Sequence, residues 1–237
     1  MHFLELTLPT LAENLALDEA LLLEAEESGG EVLRLSEWPQ PAVVLGAGCR
    51  LGQAVDEAAC KRDGVPILRR SSGGGTVLLG PGCLIYSLIL SYDREPALAE
   101  VRPSYAYILG QIRDALGELV PGIEHAGTSD LAIGGRKFSG NAQQRKRTHL
   151  LHHGTLLYAF DATLVERYLC MPDRQPDYRA RRRHDEFLVN LAVNQARLCE
   201  ILRSLWNAAS EVTDWPRQRA QMLHDEKYTL AEWLYRR

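Results

Sequence analysis

Arg69-Arg70-Ser71-Ser72-Gly73-Gly74-Gly75-Thr76-Val77 follows a short apolar run, Val65 to Leu68, that reads as a strand. Three adjacent glycines present backbone rather than side chain. No Cβ blocks close approach, positive φ is cheap, and successive amide N–H groups can form an anion-binding concavity. Two arginines and two hydroxyls arrive at the same place, so phosphate or carboxylate suits such a loop. The spacing is neither G-x-G-x-x-G opening a helix nor G-x-x-x-x-G-K-[ST], which excludes the dinucleotide fingerprint and the P-loop. The triplet therefore belongs between strands, and its plainer reading is a glycine-rich hairpin turn.

Outward from the loop, hairpins mix with helices. Thr10 and Glu13 form a capping box for a helix whose face carries Leu15, Ala16, Ala20, Leu21 and Leu22 and which stops at Ser28-Gly29-Gly30. Strands are expected over 31–35, 41–46, 83–90, 130–133, 137–139 and 153–160, with Gly134-Gly135 as a two-residue turn. Helical spacing marks 56–62, 104–119, 162–169, a long stretch over 187–206 and a terminal turn at 229–235. This order predicts an α+β fold with mostly antiparallel mixed sheets backed by helices, forming one domain over 1–237 with a short helical tail from about 192.

Composition bounds the function. The 237 residues are 46% apolar and 24% charged, with 27 Lys+Arg against 31 Asp+Glu and a net charge of -4. That balance gives no bulk attraction to nucleic acid. Met1 to Pro9 holds no lysine or arginine, so neither a signal nor a transit peptide is expected. The longest apolar run, near 84–90, is too short to cross a bilayer. Cys49, Cys60, Cys83, Cys170 and Cys199 are odd in number and scattered, against a disulfide framework or clustered zinc site. A monomer in a reducing cytoplasm is expected.

A second polar constellation lies downstream: Asp130, Lys137, Ser139, Gly140, Asn141, Ala142, His152, His153, Gly154 and Thr155, beside Leu150, Leu151, Leu156 and Leu157. A lysine entering a sheet just before Phe138 is costly if buried without partners. A bound carboxylate or phosphate would account for it; the plainer reading is a lysine snorkelling from an edge strand. His152 and His153 point to opposite faces of a strand, and His153, next to Gly154-Thr155, is the one expected at a ligand.

Arg69-Arg70-x-Ser72-Gly73-Gly74-Gly75-x-Val77, Asp130-Leu131, Lys137-x-Ser139-Gly140-x-Ala142 and His152-His153-Gly154-Thr155-Leu156-Leu157 together resemble the catalytic domain of the lipoate–protein ligase A family. Its superfamily includes biotin protein ligases and octanoyltransferases, and the resemblance spans roughly 14–191. It implies ATP-dependent attachment of lipoate to the lysine of a lipoyl carrier through a lipoyl-adenylate. Arg70, Ser72 and Gly73 to Gly75 would surround the acyl group and phosphate. Lys137 would bind carboxyl and α-phosphate oxygens, and Asp130 would sit near the adenylate and its magnesium. Ser139, Gly140, Asn141, Ala142, His153, Gly154 and Thr155 would line the other wall. The implied carriers are lipoyl domains of 2-oxoacid dehydrogenases or the glycine cleavage H protein.

The chain also departs from the family pattern. Leu79 and Gly80 stand where ligases carry a histidine and an acidic residue, and Ser129 stands where asparagine is common. The stretch 192–237 is too short for the additional C-terminal domain of bipartite ligases, which implies either a separate accessory subunit or a self-sufficient form. The rival is a cysteine-dependent octanoyl or lipoyl transferase. One transferase type places its cysteine near 122–125, where none occurs. The other carries it in a Pro-Cys-Gly segment after the His-Gly strand, and Cys170, the alternative nucleophile, lies close to that place but precedes its proline and lacks the glycine. Its plainer reading is a small apolar-like cysteine ending a helix. A non-catalytic lipoyl-binding homologue is the third class. Arg181 to Arg183 read either as a solvated turn or ion-pair network or as a basic patch that steers an acidic carrier.

Overall fold

A computed structural model of the protein describes residues 1–236. Its strands are β1 (His2–Glu5), β2 (Val32–Glu37), β3 (Ala42–Leu45), β4 (Ile67–Arg69), β5 (Val77–Leu79), β6 (Cys83–Ser91), β7 (Ile123–Ala126), β8 (Asp130–Ile133), β9 (Arg136–Arg145), β10 (His149–Leu157) and β11 (Ser210–Glu211). The helices are α1 (Leu11–Ser28), α2 (Leu51–Ala54), α3 (Glu57–Asp63), α4 (Val101–Gly117), α5 (Thr163–Tyr168), α6 (His184–Phe187), α7 (Gln195–Leu205), α8 (Arg217–Leu223) and α9 (Ala231–Leu234). None is long and apolar enough to cross a membrane.

The large sheet has the order β11-β1-β2-β6-β10-β9-β8-β7, and a small sheet has the order β4-β3-β5. Pairing is antiparallel except for β1 with β11, β1 with β2, and β3 with β4. This is the expected α+β architecture of mostly antiparallel mixed sheets backed by helices.

Alternation along the central strands builds a core on each face of the large sheet. Leu84, Tyr86, Leu88 and Leu90 of β6, with Leu150 and Leu156 of β10, meet Tyr105, Ile108, Leu109 and Ile112 of α4 and Leu198 and Leu202 of α7. On the opposite face, Ile89 and Leu151 meet Leu17, Leu21 and Leu22 of α1. Leu11, Leu15 and Ala16, earlier on α1, pack with the small sheet through Val43, Val44 and Leu78. Helix α1 thus lies between the two sheets. Its start is fixed as expected: Thr10 Oγ1 accepts from the Glu13 amide at 3.2 Å, and the Glu13 carboxylate accepts from the Thr10 amide at 2.7 Å.

Several boundaries differ from the sequence reading. The strand expected over 153–160 runs over His149–Leu157, because the nearly continuous buried run is paired on one side by β6 and on the other by β9. The short strand at 137–139 extends to Arg145 as the partner of β10. The long helix expected over 187–206 is divided. Leu188 bridges Lys137, the Val189 amide donates to the Lys137 carbonyl at 2.9 Å, and Asn190 pairs with the Phe160 backbone in both directions at 3.0 Å. Those contacts hold the segment extended until Asn194 caps α7 through the Arg197 amide at 2.9 Å.

Candidate active site

A β-bulge decides which way the key lysine faces. Asp130 pairs with Gly140 and Leu131 with Ser139, but Ala132 pairs with Lys137, so Phe138 is the extra residue on β9. Without it, the period of two would put Lys137 on the face opposite Gly140. With it, Phe138 enters the core beside Leu131 and Leu156, and Lys137 shares a face with Asp130, Gly140 and Ala142. Lys137 Nζ lies 2.8 Å from Asp130 Oδ1, and the Tyr178 hydroxyl donates to Asp130 Oδ2 at 2.8 Å. Gly140 makes room for the lysine: a Cβ there would sit 2.7 Å from Nζ and 2.8 Å from Cε.

These groups line a cleft between α1, the large sheet and the small sheet, enclosing roughly 840 Å³ of non-protein space with its open mouth included. Leu11, Leu15, Val44, Val77, Leu79 and Ile85 supply apolar wall. Leu79 is buried against the small-sheet core, so an aliphatic surface stands at the position where a polar contact was noted as missing. Gly80 is not among the lining residues.

The glycine loop connects β4 to β5 across this cleft. Of its three glycines only Gly74 takes a positive φ, 83°. Its carbonyl lies over Gly46, where a Cβ would come within 2.1 Å of the Gly74 oxygen. Arg70 does not reach out as a free arm. Its guanidinium sits inside the loop and donates to the carbonyls of Gly73 (2.6 Å), Gly75 (2.8 Å) and Val44 (3.2 Å) and to Ser72 Oγ (2.9 Å). The Gly73 amide donates to the Gln143 carbonyl at 3.3 Å. Burial pulls the Arg70 guanidinium down to about 10, so it remains a cation at neutral pH. Among the described residues it forms no ion pair with a carboxylate. A buried cation compensated only by dipoles gives this wall of the open cleft a positive potential.

His153 faces the cleft and His152 the opposite side of β10. His153 Nε2 lies 2.6 Å from Ser72 Oγ and its Nδ1 3.2 Å from Asp18 Oδ2. Asp18 also pairs with Arg34 at 2.6 Å and accepts from Ser87 Oγ at 2.8 Å. Burial pushes the Asp18 carboxyl up, but Arg34, His153 and Ser87 together outweigh it and hold the group at about 2. His152 is fully buried near Tyr86 and Tyr105, and burial followed by the neighbouring His153 pulls it down to about 3, so it is neutral.

Of the residues singled out in the sequence, Arg70, Gly74, Gly75, Asp130, Lys137, Gly140, Asn141, Ala142, His153, Gly154 and Thr155 line one cleft. Ser72 and Ser139 are buried behind it: Ser72 supports His153, and Ser139 Oγ accepts from Asn141 Nδ2 at 3.1 Å. Gly73 is exposed on the loop. Cys170 is exposed on the turn after α5, its amide bonded to the Ala54 carbonyl at 3.1 Å. Among the described residues lining the cleft none is a cysteine. Asn14, Asp18 and Arg34 were missed, although two polar residues one turn apart on the apolar face of α1, and an arginine between leucines on β2, were visible signals.

Among the described residues, the cleft wall carries an unmet hydroxyl but no ready-made metal site. Thr76 Oγ1 is buried without a hydrogen-bond partner among the described residues, and Thr76 lines the cleft. By contrast, no group of three or more His, Cys, Asp or Glu side chains among the described residues could hold a metal, and both Asp130 oxygens are engaged.

Arg182 is anchored rather than free for steering. It donates to the carbonyls of Gly135 and Tyr178, both at 2.7 Å, and lies over the Phe187 ring. Arg181 and Arg183 remain exposed.

Residues 10–195 match the family model of the lipoyl protein ligase A/B catalytic domain. Octanoyltransferase LipM of Carboxydothermus hydrogenoformans is 29% identical over 255 residues, covering 95% of this chain and 94% of that protein. The putative lipoate-protein ligase A of Aeropyrum pernix is 34% identical over 157 residues, covering 65% of this chain and 56% of the relative. In three dimensions, a structure of the bipartite lipoate protein ligase of Thermoplasma acidophilum, described with its E2 lipoyl domain, superposes with a TM-score of 0.85 at 22% identity, covering 99% of this chain and 95% of that one. With its glycine loop, bulged lysine strand and His-Gly strand meeting at one cleft, the chain belongs to the lipoyl protein ligase A/B catalytic-domain family.

Proposed function

We propose that the protein activates lipoate with ATP and transfers the acyl group to the lysine of a lipoyl carrier domain. The observation that carries this reading is that buried Arg70 and half-buried Lys137 stand on the cleft in addition to the Asp18-paired Arg34, beside six aliphatic side chains and, among the described residues, no cysteine. A carboxylate is a poor electrophile, because attack adds charge to an anionic centre. Its oxygen instead attacks the α-phosphorus of ATP, pyrophosphate departs, and a mixed anhydride with AMP remains. Arg70 and Lys137 offset charge on the carboxyl and phosphoryl oxygens as it develops. The carrier's amine then attacks the carbonyl and AMP leaves. Lys137 must exchange its partner Asp130 for substrate oxygens, and Tyr178 keeps Asp130 satisfied when it does. Magnesium enters with the ATP phosphates as part of the substrate.

The carriers proposed are lipoyl domains of 2-oxoacid dehydrogenases or the H protein, met by the chain as a monomeric unit, with or without an accessory subunit. The described cysteines are free, which fits a reducing cytoplasm.

A cysteine-dependent octanoyl transfer is favoured by the LipM octanoyltransferases, three of which match over nearly their whole length. The two readings separate in one experiment. Protein, lipoate and magnesium-ATP release pyrophosphate and modify a lipoyl domain, Lys137→Ala loses both, and Cys170→Ser keeps both. Acylation from octanoyl-carrier protein without ATP, lost in Cys170→Ser, would establish the transferase instead.

A further inference from the structure

The segment 217–236 makes buried polar contacts that the proposed chemistry does not use. We propose that it is a brace setting the position of the glycine loop, with Lys227 and Trp233 as positioning residues for the acid-binding wall of the cleft. The brace has two arms. In the first, Trp233 Nε1 donates to the Arg69 carbonyl at 2.8 Å, while Arg69 Nη2 and Nε donate back to the Leu234 carbonyl at 2.7 and 3.0 Å. Arg69 Nη1 continues to the carbonyls of Gly46 (3.0 Å) and Cys49 (2.7 Å). Gly46 is the residue on which the Gly74 carbonyl rests, and Cys49 Sγ lies 3.3 Å from that same carbonyl.

The second arm runs through α1. Lys227 Nζ contacts the two Glu19 carboxylate oxygens at 2.6 and 2.9 Å, and the Tyr228 hydroxyl donates to Glu19 at 2.7 Å. Gln144 Nε2 donates to Glu19 at 3.2 Å, and Gln144 Oε1 accepts from Ser71 Oγ. Glu19 follows Asp18, which holds His153 and through it Ser72. The Lys227 ammonium lies 4.2 Å from the Trp233 ring centroid, which joins the arms.

Both arms terminate on residues 69–74, most of which have no strand ladder of their own. A carboxylate only 5% exposed, such as Glu19, is expensive to leave unpaired. Removing Lys227 therefore disturbs α1 and Gln144 together. A loop that must hold an anion in a fixed geometry depends on such supporting contacts.

The kinetic part of this inference rests on the acid-activation reading; the positional part does not. Hydrogen exchange over residues 70–76 is measured in the full chain for Lys227→Met, Lys227→Arg and Trp233→Phe, together with KM and kcat for lipoate. Met and Phe are expected to speed exchange at the Gly73 amide about tenfold and to raise KM about three- to tenfold with kcat within about twofold. Exchange in β6 and β10 stays unchanged, and Lys227→Arg restores the loop. Unchanged loop exchange in both Lys227→Met and Trp233→Phe overturns the brace. So does faster exchange spread evenly through β6 and β10, which would make the segment ordinary core packing. If the wild-type chain fails to turn over lipoate, the functional reading falls while loop exchange still decides the brace.

Discussion

Gly140→Ala isolates the placement of Lys137 from its presence. An alanine Cβ at this position would lie 2.7 Å from Lys137 Nζ and 2.8 Å from its Cε. Favourable carbon contacts begin near about 3.5 Å, so the end of the lysine must retreat by roughly 0.7 Å or rotate away. The backbone at 140 does not require glycine's positive φ, and the Lys137 side chain is 26% exposed, so the ammonium can swing to solvent. Asp130 keeps its bond from Tyr178. Loss of a partly exposed ion pair costs about 1 kcal/mol or less, which keeps the fold intact. The catalytic loss is larger: removing one preorganised donor from developing charge slows the step about 10²- to 10³-fold, or roughly 3–4 kcal/mol. Single-turnover pyrophosphate release from lipoate and magnesium-ATP measures the rate, and urea unfolding measures stability. Activation near the wild-type rate in Gly140→Ala would refute the assignment of Lys137. A stability loss above about 3 kcal/mol would instead show that the lysine cannot move aside.

Asp18→Asn should cost about 3–5 kcal/mol at pH 7, because it leaves Arg34 buried without its anion. The Asp18 carboxyl is depressed from 3.8 to about 2. Its stabilisation, about 2 kcal/mol, is complete above about pH 5 and fades as pH falls through 3.8 toward 2. Urea titrations at pH 7 and pH 3 should therefore show the gap between wild type and variant narrowing by about 1 kcal/mol; a gap independent of pH would mean Asp18 is not the ionised anchor. Arg182→Ala should lower the unfolding free energy measured in urea, since it frees the Gly135 and Tyr178 carbonyls, whereas exposed Arg181→Ala should leave that free energy within about 0.5 kcal/mol of wild type.

The sequence showed the α1 capping box and the glycine stop of that helix directly, because both depend on neighbours within four residues. It also showed that His152 and His153 face opposite ways, since strand alternation needs no tertiary knowledge. It could not show β1 or β11: His2–Glu5 is four residues long and becomes a strand only by pairing parallel with β2, nearly thirty residues on. The helix expected over 187–206 failed for a related reason. Leu188 and Val189 have acceptable helical spacing, but a backbone bond to Lys137 and the Asn190 exchange with Phe160 hold them extended. Arg70 was singled out from the sequence together with the glycine loop, but the way it is held was not legible there: in the structure the loop carbonyls fold around its guanidinium.

The bulge at Phe138 explains why the lysine motif was legible while its orientation was not. Lys137, Ser139 and Asn141 alternate on paper, and a regular strand would present all three on one face. In the structure Lys137 shares its face with Gly140 and Ala142, while Ser139 is buried behind the cleft. Phe138 is fully buried among apolar side chains from α4, β8 and β10. Relieving the bulge would carry that ring to the cleft face and the lysine toward the core. Each move is opposed, by about 2–3 kcal/mol for exposing an aromatic side chain and by the cost of burying an ammonium without a partner. The register of β9 is therefore held by a core phenylalanine that does not line the cleft. It follows that Phe138→Ala should impair activation through misdirected Lys137 as well as through a cavity.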